Sequence, residues 1–351
     1  MKMEEAMTGL RMPGDGGIAR SLPGRIFGFF ATMARTKPLG FAGFMVLVFM
    51  LVVAAAPQVF ATHDPAQAGV APRLKNFCLG PADTILCPTV VEPPSVTSPG
   101  RRIEGSLSEP LGTDQLGRDV YSRVVYGARW ALYVGFMAVL LSSLISLAIG
   151  VTSGYFGGWY DSVVQRFVDA VMALPALVVL LALPQLIGQL DLDGGLPFDE
   201  PSITFFKLAL VLGVLGGAGG SRVIRASVLG VRSAQFLEAA RVIGCTDRRI
   251  MLRHVVPNIF GPLMVQATIG LGGVILAEAS LSFLGFGVVD PNKPTWGQML
   301  NLAQQISTVK FQAVVWPGMC IALAVFSFNM FGDALRDMLD PRLRGARGGF
   351  S

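Results

Sequence analysis

The sequence contains little charge for its length. Of its 351 residues only 15% are Asp, Glu, Lys or Arg, whereas 52% are hydrophobic, and the mean hydropathy is +0.57. Soluble domains carry roughly 25% charged residues. This shortage argues against a soluble protein and indicates that lipid surrounds much of the chain. The net charge of +5 does not indicate nucleic-acid binding, because most basic residues stand at the ends of apolar runs.

Residues that bind nucleotides or perform catalysis are also scarce. The sequence contains no Gly-x-x-x-x-Gly-Lys-Ser/Thr segment, so nothing in it predicts a phosphate-binding loop. Its two histidines, His63 and His254, lie on opposite sides of the membrane in the topology derived below, which disfavours a catalytic triad or zinc site. Of its four cysteines, Cys78 and Cys87 share a predicted external loop, where a disulfide and two free thiols are both compatible with the pattern.

Long apolar runs dominate what is present. A helix needs about 20 apolar residues to cross a bilayer, and its backbone must be hydrogen-bonded internally. The sequence therefore predicts an all-α membrane protein with six transmembrane helices. The first run follows 38 other residues and is interpreted as a retained anchor rather than a signal peptide. The six predicted spans cover 39–61, 131–151, 167–187, 203–220, 260–284 and 311–331.

The distribution of basic residues predicts the orientation. Segment 221–257 contains seven arginines, whereas the charged residues of segment 189–202 are all acidic, so the first is expected in the cytoplasm and the second outside. Both termini are then cytoplasmic. Segment 62–130 is external despite seven basic residues, because long loops cross membranes largely regardless of charge.

This topology divides the chain into consecutive segments. We expect a core transmembrane domain over 131–335, which contains a cytoplasmic coupling loop at 221–258. The flanking segments are a cytoplasmic N-terminal segment at 1–38, the first transmembrane helix at 39–61, an external loop at 62–130 and a cytoplasmic tail at 336–351.

The first half of the coupling loop has helical periodicity. Residues 234–243 predict a short amphipathic helix, with Phe236, Ala240 and Ile243 on its apolar face. Gly244 follows the last periodic residue and is expected to end the helix in a left-handed conformation.

A second helix is predicted after this glycine. It covers 247–254, with Thr246 as its N-cap and Asp247 in its first turn. Pro257 ends or redirects this segment before the fifth span. Two short helices at a fixed angle would form a rigid unit on the cytoplasmic side, although a solvated connector fits the same pattern.

The coupling loop also carries a family motif, formed by Glu238, Ala239, Ala240, Gly244 and Pro257. With this motif the chain resembles the permease subunits of binding-protein-dependent ABC importers. The pattern differs at two positions, where His254 replaces an isoleucine and Val256 a leucine.

Two further stretches narrow this resemblance. Residues 112–129, which contain GTDQLGRDVYSR and YGAR, are similar to the segment before the second span in the dipeptide, oligopeptide and nickel branch. Residues 276–287 and 294–297 are similar to that branch's fifth span and the following external loop.

The resemblance implies a type I ABC importer permease fold and a non-enzymatic transport subunit in the bacterial plasma membrane. Such a subunit forms half of a translocation pathway, and peptides are the expected cargo. Its expected partners are a second homologous permease, two ABC ATPase subunits and an external solute-binding protein. ATP and Mg are bound by the ATPase subunits, so this chain is expected to hold no cofactor. Coupling is expected at the five motif residues, with Arg241 contributing charge pairing.

Glu278 leads to an alternative function. An acid within an apolar span is costly and marks a possible functional site. Hydrogen bonding within the helix bundle is the favoured interpretation, ahead of contact with a substrate amine or metal. An ion-coupled secondary carrier that uses Glu278 is the runner-up to the importer, and a nickel-complex importer is the alternative within the family.

Glycines are concentrated in the fourth and fifth predicted spans. They are expected to let helices pack closely, with pore-lining flexibility as the alternative. They stand at positions 213, 216, 217, 219 and 220, and at 270, 272 and 273.

Overall fold

Long helices make up most of the structure, a computed structural model that describes residues 22–70, 90–91, 102–103, 110–176, 178–182, 200–288, 290, 292–304 and 312–339. The helices, in chain order, are α1 Leu22–Thr36, α2 Pro38–Ala55, α3 Pro57–Phe60, α4 Val120–Phe156, α5 Gly158–Ala173, α6 Glu200–Arg232, α7 Gln235–Val242, α8 Asp247–Ile250, α9 Val256–Asn258, α10 Phe260–Phe283, α11 Trp296–Gln304 and α12 Gln312–Leu339. A π-helical turn, Met251–Val255, joins α8 to α9, and strands β1 Val90–Val91 and β2 Arg102–Ile103 form a small antiparallel ladder.

Five helices within the described ranges are long and apolar enough to cross a membrane. They confirm the predicted first, second, fourth, fifth and sixth spans. The first helix ends six residues earlier than predicted, at Ala55, where Pro57 follows, and several of the others extend further than predicted. The stretches that meet the criteria are Pro38–Ala55, Val120–Phe156, Ser202–Arg232, Phe260–Phe283 and Ala313–Leu339.

The predicted third span is interrupted in its described part. Helix α5 ends at Ala173, and Leu174 has extended backbone angles of φ −76° and ψ 133°. The cause is Pro175, because a proline disfavours helical angles in the residue before it. Residues 178–182 are helical again, and 183–187 lie outside the described residues.

Helix α4 begins 11 residues earlier than predicted, at Val120 rather than 131. Asp119 is its N-cap, and the carboxylate accepts hydrogen bonds from the backbone N–H groups of Tyr121 (3.2 Å) and Ser122 (3.0 Å). Residues 120–130, which were predicted to be part of the external loop, are therefore helical. The cap lies in the GTDQLGRD stretch, whose Gly112 and Gly117 have positive φ.

The same cap attaches the segment that follows the first span. The Thr62 hydroxyl donates to Asp119 (2.7 Å), and the backbone N–H of His63 donates to the Ser122 hydroxyl (3.0 Å). The guanidinium of the fully buried Arg123 donates to the carbonyl of Pro65 (3.0 Å). These contacts give the family-like stretch a structural role in holding α4 against residues 62–65.

Helices α4 and α6 pack along most of their lengths through small residues. A Cβ atom built on Gly150 would lie 2.7 Å from the carbonyl oxygen of Ser221, and one on Gly217 would lie 2.6 Å from Cβ of Ile145. These distances leave no room for a side chain. The packing interpretation of the glycines is therefore confirmed at Gly213 and Gly217, whereas Gly219 and Gly273 border a cavity.

Helix α12 packs against α10 and against α2. Gly43 of α2 approaches α12 so closely that an added Cβ would lie 2.8 Å from the carbonyl oxygen of Ser327. Near the same ends of these helices, Lys37 forms an ion pair with Asp337. The N-terminal helices are thereby attached to the end of α12.

We predict that Gly150→Ala lowers the free energy of unfolding by about 1–3 kcal/mol, because the methyl group would overpack the α4–α6 contact. Denaturant unfolding of the purified protein in detergent measures this change. Gly230→Ala is the matched control, because nothing lies within 4 Å of an added Cβ on this residue of α6. A Gly150→Ala variant as stable as Gly230→Ala would contradict the packing.

Candidate functional site

The coupling loop begins later than predicted, because residues 221–232 belong to α6. The remaining loop, 233–259, is folded onto the long helices rather than projecting freely. Leu237 and Ala240 of α7 and Ile250 of α8 are buried in one apolar cluster. Their neighbours come from α4, α6 and the start of α10, and they include Val151, Tyr155, Ile224, Val228, Ile259 and Leu263. The loop therefore has a packed core that it shares with three long helices.

The predicted apolar face of α7 was partly wrong. Ala240 is buried as expected, but Phe236 is 42% exposed and Ile243 is 81% exposed. The buried partner of Ala240 is Leu237, one turn earlier. The helical periodicity is compatible with either Phe236 or Leu237 on the inner face, because these two apolar residues are adjacent in the sequence.

Gly244 ends α7 as predicted. Its φ is +83°, in the left-handed region. The N–H of Gly244 donates to the carbonyl of Arg241 (2.9 Å), and the N–H of Cys245 donates to that of Ala240 (3.0 Å). These two bonds form a Schellman motif. The motif sets the direction in which the chain leaves α7.

The second predicted helix is divided. Thr246 occupies the N-cap position of α8, but its side chain makes no capping hydrogen bond, so that part of the prediction was wrong. Helix α8 ends at Ile250 and a π-helical turn follows. Pro257 accounts for this turn, because its ring would clash with the carbonyl of the residue four positions earlier in a regular α-helix.

Polar contacts join α8 to the end of α4. The Tyr155 hydroxyl donates to the Asp247 carboxylate (2.6 Å), and the Arg241 guanidinium lies 5.6 Å from the centre of the Tyr155 ring. Sequence reasoning missed Tyr155 because it lies 92 residues from Asp247. Of the predicted coupling residues, Ala240 is buried, and the exposed ones are Glu238, Ala239, Arg241, Gly244 and Pro257.

The start of α5 is joined to α6 beside the loop. Arg225 donates two hydrogen bonds to the Asp161 carboxylate, with Nε to Oδ1 at 2.7 Å. Mainly because of these bonds, the pKa of Asp161 lies below its ordinary value. Asp169, further along α5, pairs with Arg222 of α6 at 2.6 Å.

A cavity of about 910 Å³ lies beside the loop, between α4, α6, α10 and α12. Its described lining consists mainly of glycine and apolar side chains, with Ser142, Ser143 and Gln266 as neutral polar groups. Arg336 is the one charged residue among them. A space of this size falls within the range of small-molecule sites.

Glu278 does not belong to this described lining. It is buried and accepts a hydrogen bond from Ser282 (2.7 Å), one turn along α10. This contact agrees with the favoured interpretation of hydrogen bonding within the bundle. Cys78 and Cys87 lie outside the described residues. Within the described ranges, no three His, Cys, Asp or Glu side chains are grouped to hold a metal ion.

Comparison with known proteins identifies the family. The sequence profile of the binding-protein-dependent transport system inner membrane components matches residues 146–345. The chain belongs to this family. The matched region includes the coupling loop. It also includes every described residue that lines the cavity, except Val139, Ser142 and Ser143.

Two relatives that are similar in sequence agree with this family. The chain is 36% identical over 249 residues to the dipeptide transport system permease protein DppC of Alkalihalophilus pseudofirmus, covering 71% of this chain and 77% of that protein. It is 34% identical over 240 residues to the glutathione transport system permease protein GsiD of Escherichia coli, covering 68% and 74%. A solved structure of the MetNI methionine ABC transporter, inward facing, is 17% identical and covers 62% of this chain and 97% of its own, with a TM-score of 0.49.

We predict that Tyr155→Phe loosens α8, because it removes the hydroxyl that binds Asp247. Losing one such bond costs about 1 kcal/mol, which corresponds to roughly fivefold faster amide hydrogen exchange through local opening. Exchange of residues 246–250, followed by mass spectrometry, measures this effect. Tyr160→Phe is the control, because its hydroxyl binds Thr152 instead. Equal exchange in the two variants would contradict a role for the Tyr155 contact.

Proposed function

We propose that this chain is the permease subunit of an ATP-driven peptide importer. It would form half of the translocation pathway, beside a second homologous permease. Two ABC ATPase subunits would bind ATP and Mg, and an external solute-binding protein would deliver the cargo. Both termini would be cytoplasmic, as the positive-inside rule requires. The relatives support peptides as cargo, since one is named for dipeptides and the other for glutathione, itself a tripeptide.

The exposed tip of the coupling loop is the observation on which this proposal depends. Val242 and Ile243 are 88% and 81% exposed, although they adjoin a well-packed cluster. Burying each such side chain in an interface is worth about 1.5–3 kcal/mol. An ATPase subunit is the partner that would cover them. Glu238 and Arg241 flank the tip and are available for charge pairing, and the small Ala239 permits close approach.

Because the loop is packed against the long helices, a force applied to its tip by an ATPase subunit would be transmitted to the helices that border the cavity. The loop connects α6 directly to α10, and both helices border the cavity. When the ATPase subunits close on ATP, the loop would move as a unit because its inner face is held by a shared core. Rigid-body motion of α6 and α10 would then open the cavity to the opposite side of the membrane.

We predict that Gly244→Val abolishes transport-coupled ATP hydrolysis while leaving membrane insertion intact. A β-branched residue at a φ of +83° is strained, so the turn after α7 would change direction. The assay is ATPase activity of the reconstituted complex, stimulated by loaded binding protein. Gly244→Asn is the control, because asparagine tolerates the left-handed region. Unchanged coupled activity in Gly244→Val would remove this turn from the mechanism.

We also predict that Ile243→Asp prevents ATPase subunits from co-purifying with the permease. The charged carboxylate would have to lose its water in an apolar contact. Ile243→Leu preserves the apolar surface and should retain the partner. Because Ile243 is largely exposed, both variants should have the unfolding midpoint of the wild type. Co-purification of Ile243→Asp at the wild-type level would contradict docking at this tip.

Uptake by proteoliposomes tests the function as a whole. The expected result is peptide uptake that requires the binding protein, the ATPase subunits and ATP. Uptake by this chain alone, driven by an ion gradient, would instead support the secondary carrier and would refute the proposal.

A further inference from the structure

The charge of the cavity wall gives information about the cargo. Among its described lining residues there is one cation, Arg336, and no Asp or Glu. Most of the remaining wall is apolar. An apolar wall of low dielectric constant strengthens the field of a charge that borders it. The cavity is therefore expected to have a positive potential around Arg336.

The position of Arg336 is defined by contacts on either side of it. A Cβ atom built on Gly261 would lie 3.7 Å from Cβ of Leu339, and one on Gly332 would lie 3.0 Å from Cγ1 of Ile269. These two contacts show that α10 and α12 are antiparallel. Arg336 therefore lies at the level of Val265, about two turns after Pro257 and close to the end of α10 that follows the coupling loop.

The carboxylates of α12 do not neutralise Arg336. Its guanidinium forms no ion pair with any residue in the described part of the chain, whereas Asp337 is paired with Lys37. Asp333, one turn earlier, is exposed and is absent from the described cavity lining. Arg336 is itself exposed and is among the residues that line the cavity.

We propose that Arg336 is a specificity-determining residue that attracts the carboxylates of the cargo into the cavity. This inference rests on the proposed function, because peptides differ in the number of acidic side chains that they carry in addition to the shared terminal carboxylate. The planar guanidinium can bind a carboxylate through two parallel hydrogen bonds, which a lysine cannot reproduce. Its place beside the first turns of α10 means that movement of the coupling loop changes the space around the bound carboxylate.

A purely topological role is the competing explanation, because arginines at the cytoplasmic ends of spans favour the inside orientation. Arg35 provides the matched control. It is an exposed cation at the end of α1, expected on the same side of the membrane, and it does not line the cavity. Arg35→Gln removes the same charge without changing the cavity wall.

The first measurement uses no peptide. In a variant without the native cysteines, Val265→Cys places a thiol in the cavity wall at the level of Arg336. Its reaction rates with an anionic and a cationic methanethiosulfonate reagent give a ratio that reports the local potential. We expect Arg336→Gln to lower the anion-to-cation ratio about tenfold, and Arg336→Glu to lower it further. Arg35→Gln should leave the ratio unchanged. Equal ratios with Arg, Gln and Glu at position 336 would overturn the proposal.

The second measurement uses the reconstituted complex with acidic, neutral and basic peptides, each at a saturating concentration of loaded binding protein. Arg336→Gln should reduce uptake per ATP of acidic peptides about tenfold more than that of basic peptides. Arg336→Lys should restore only part of the preference, because it keeps the charge but not the paired donors. A uniform loss for all peptides would overturn the specificity role. If the ratio of reaction rates changes as expected but the wild-type complex imports no peptide, the proposed function is refuted, whereas the attraction of anions into the cavity is supported.

Discussion

The burial of Leu237, Ala240 and Ile250 against the long helices is the constraint on which the rest of the structure depends. Without it, segment 233–259 would be a solvated connector between α6 and α10. With it, the loop shares one core with α4, α6 and α10, and a force on its surface must act on all three helices. Such a coupling requires only packing contacts and one left-handed glycine turn.

The cavity follows from the same arrangement. Glycines bring α4 and α6 into close contact, while other small residues of α6 and α10 leave space beside them. The described lining of that space is mostly apolar, with a few neutral polar groups and one arginine, so it offers little that would bind a cargo tightly. Weak binding suits a transport pathway, because the cargo has to leave again. Specificity would then come from the potential inside the cavity and from the external binding protein.

The sequence predicted those features that depend on local chemistry. Gly244 was correctly expected to end α7, because only a few residues adopt a left-handed conformation easily. The local pattern allowed either Phe236 or Leu237 on the buried face of α7. Leu237 is the buried residue because the long helices pack against that side of α7. The early start of α4 depends on the Asp119 cap, and the break before Pro175 interrupted a run whose hydropathy alone predicted a span. The contact of Tyr155 with the loop joins distant segments, so no local pattern contained it.

The most direct test of the central claim is whether the loop moves as one body with α6. Arg249, an exposed residue of α8 outside the Val242–Ile243 tip, is the labelling position in the loop. Spin labels on Arg249→Cys and Phe206→Cys report the distance from the loop to the far end of α6, and labels on Arg249→Cys and Met319→Cys report the distance to α12. In the reconstituted complex, pulsed electron paramagnetic resonance should show a narrow loop-to-α6 distance that is unchanged by ATP, together with a loop-to-α12 distance that shifts. A loop-to-α6 distance that broadens or shifts with ATP would show that the loop flexes independently, which would contradict the account.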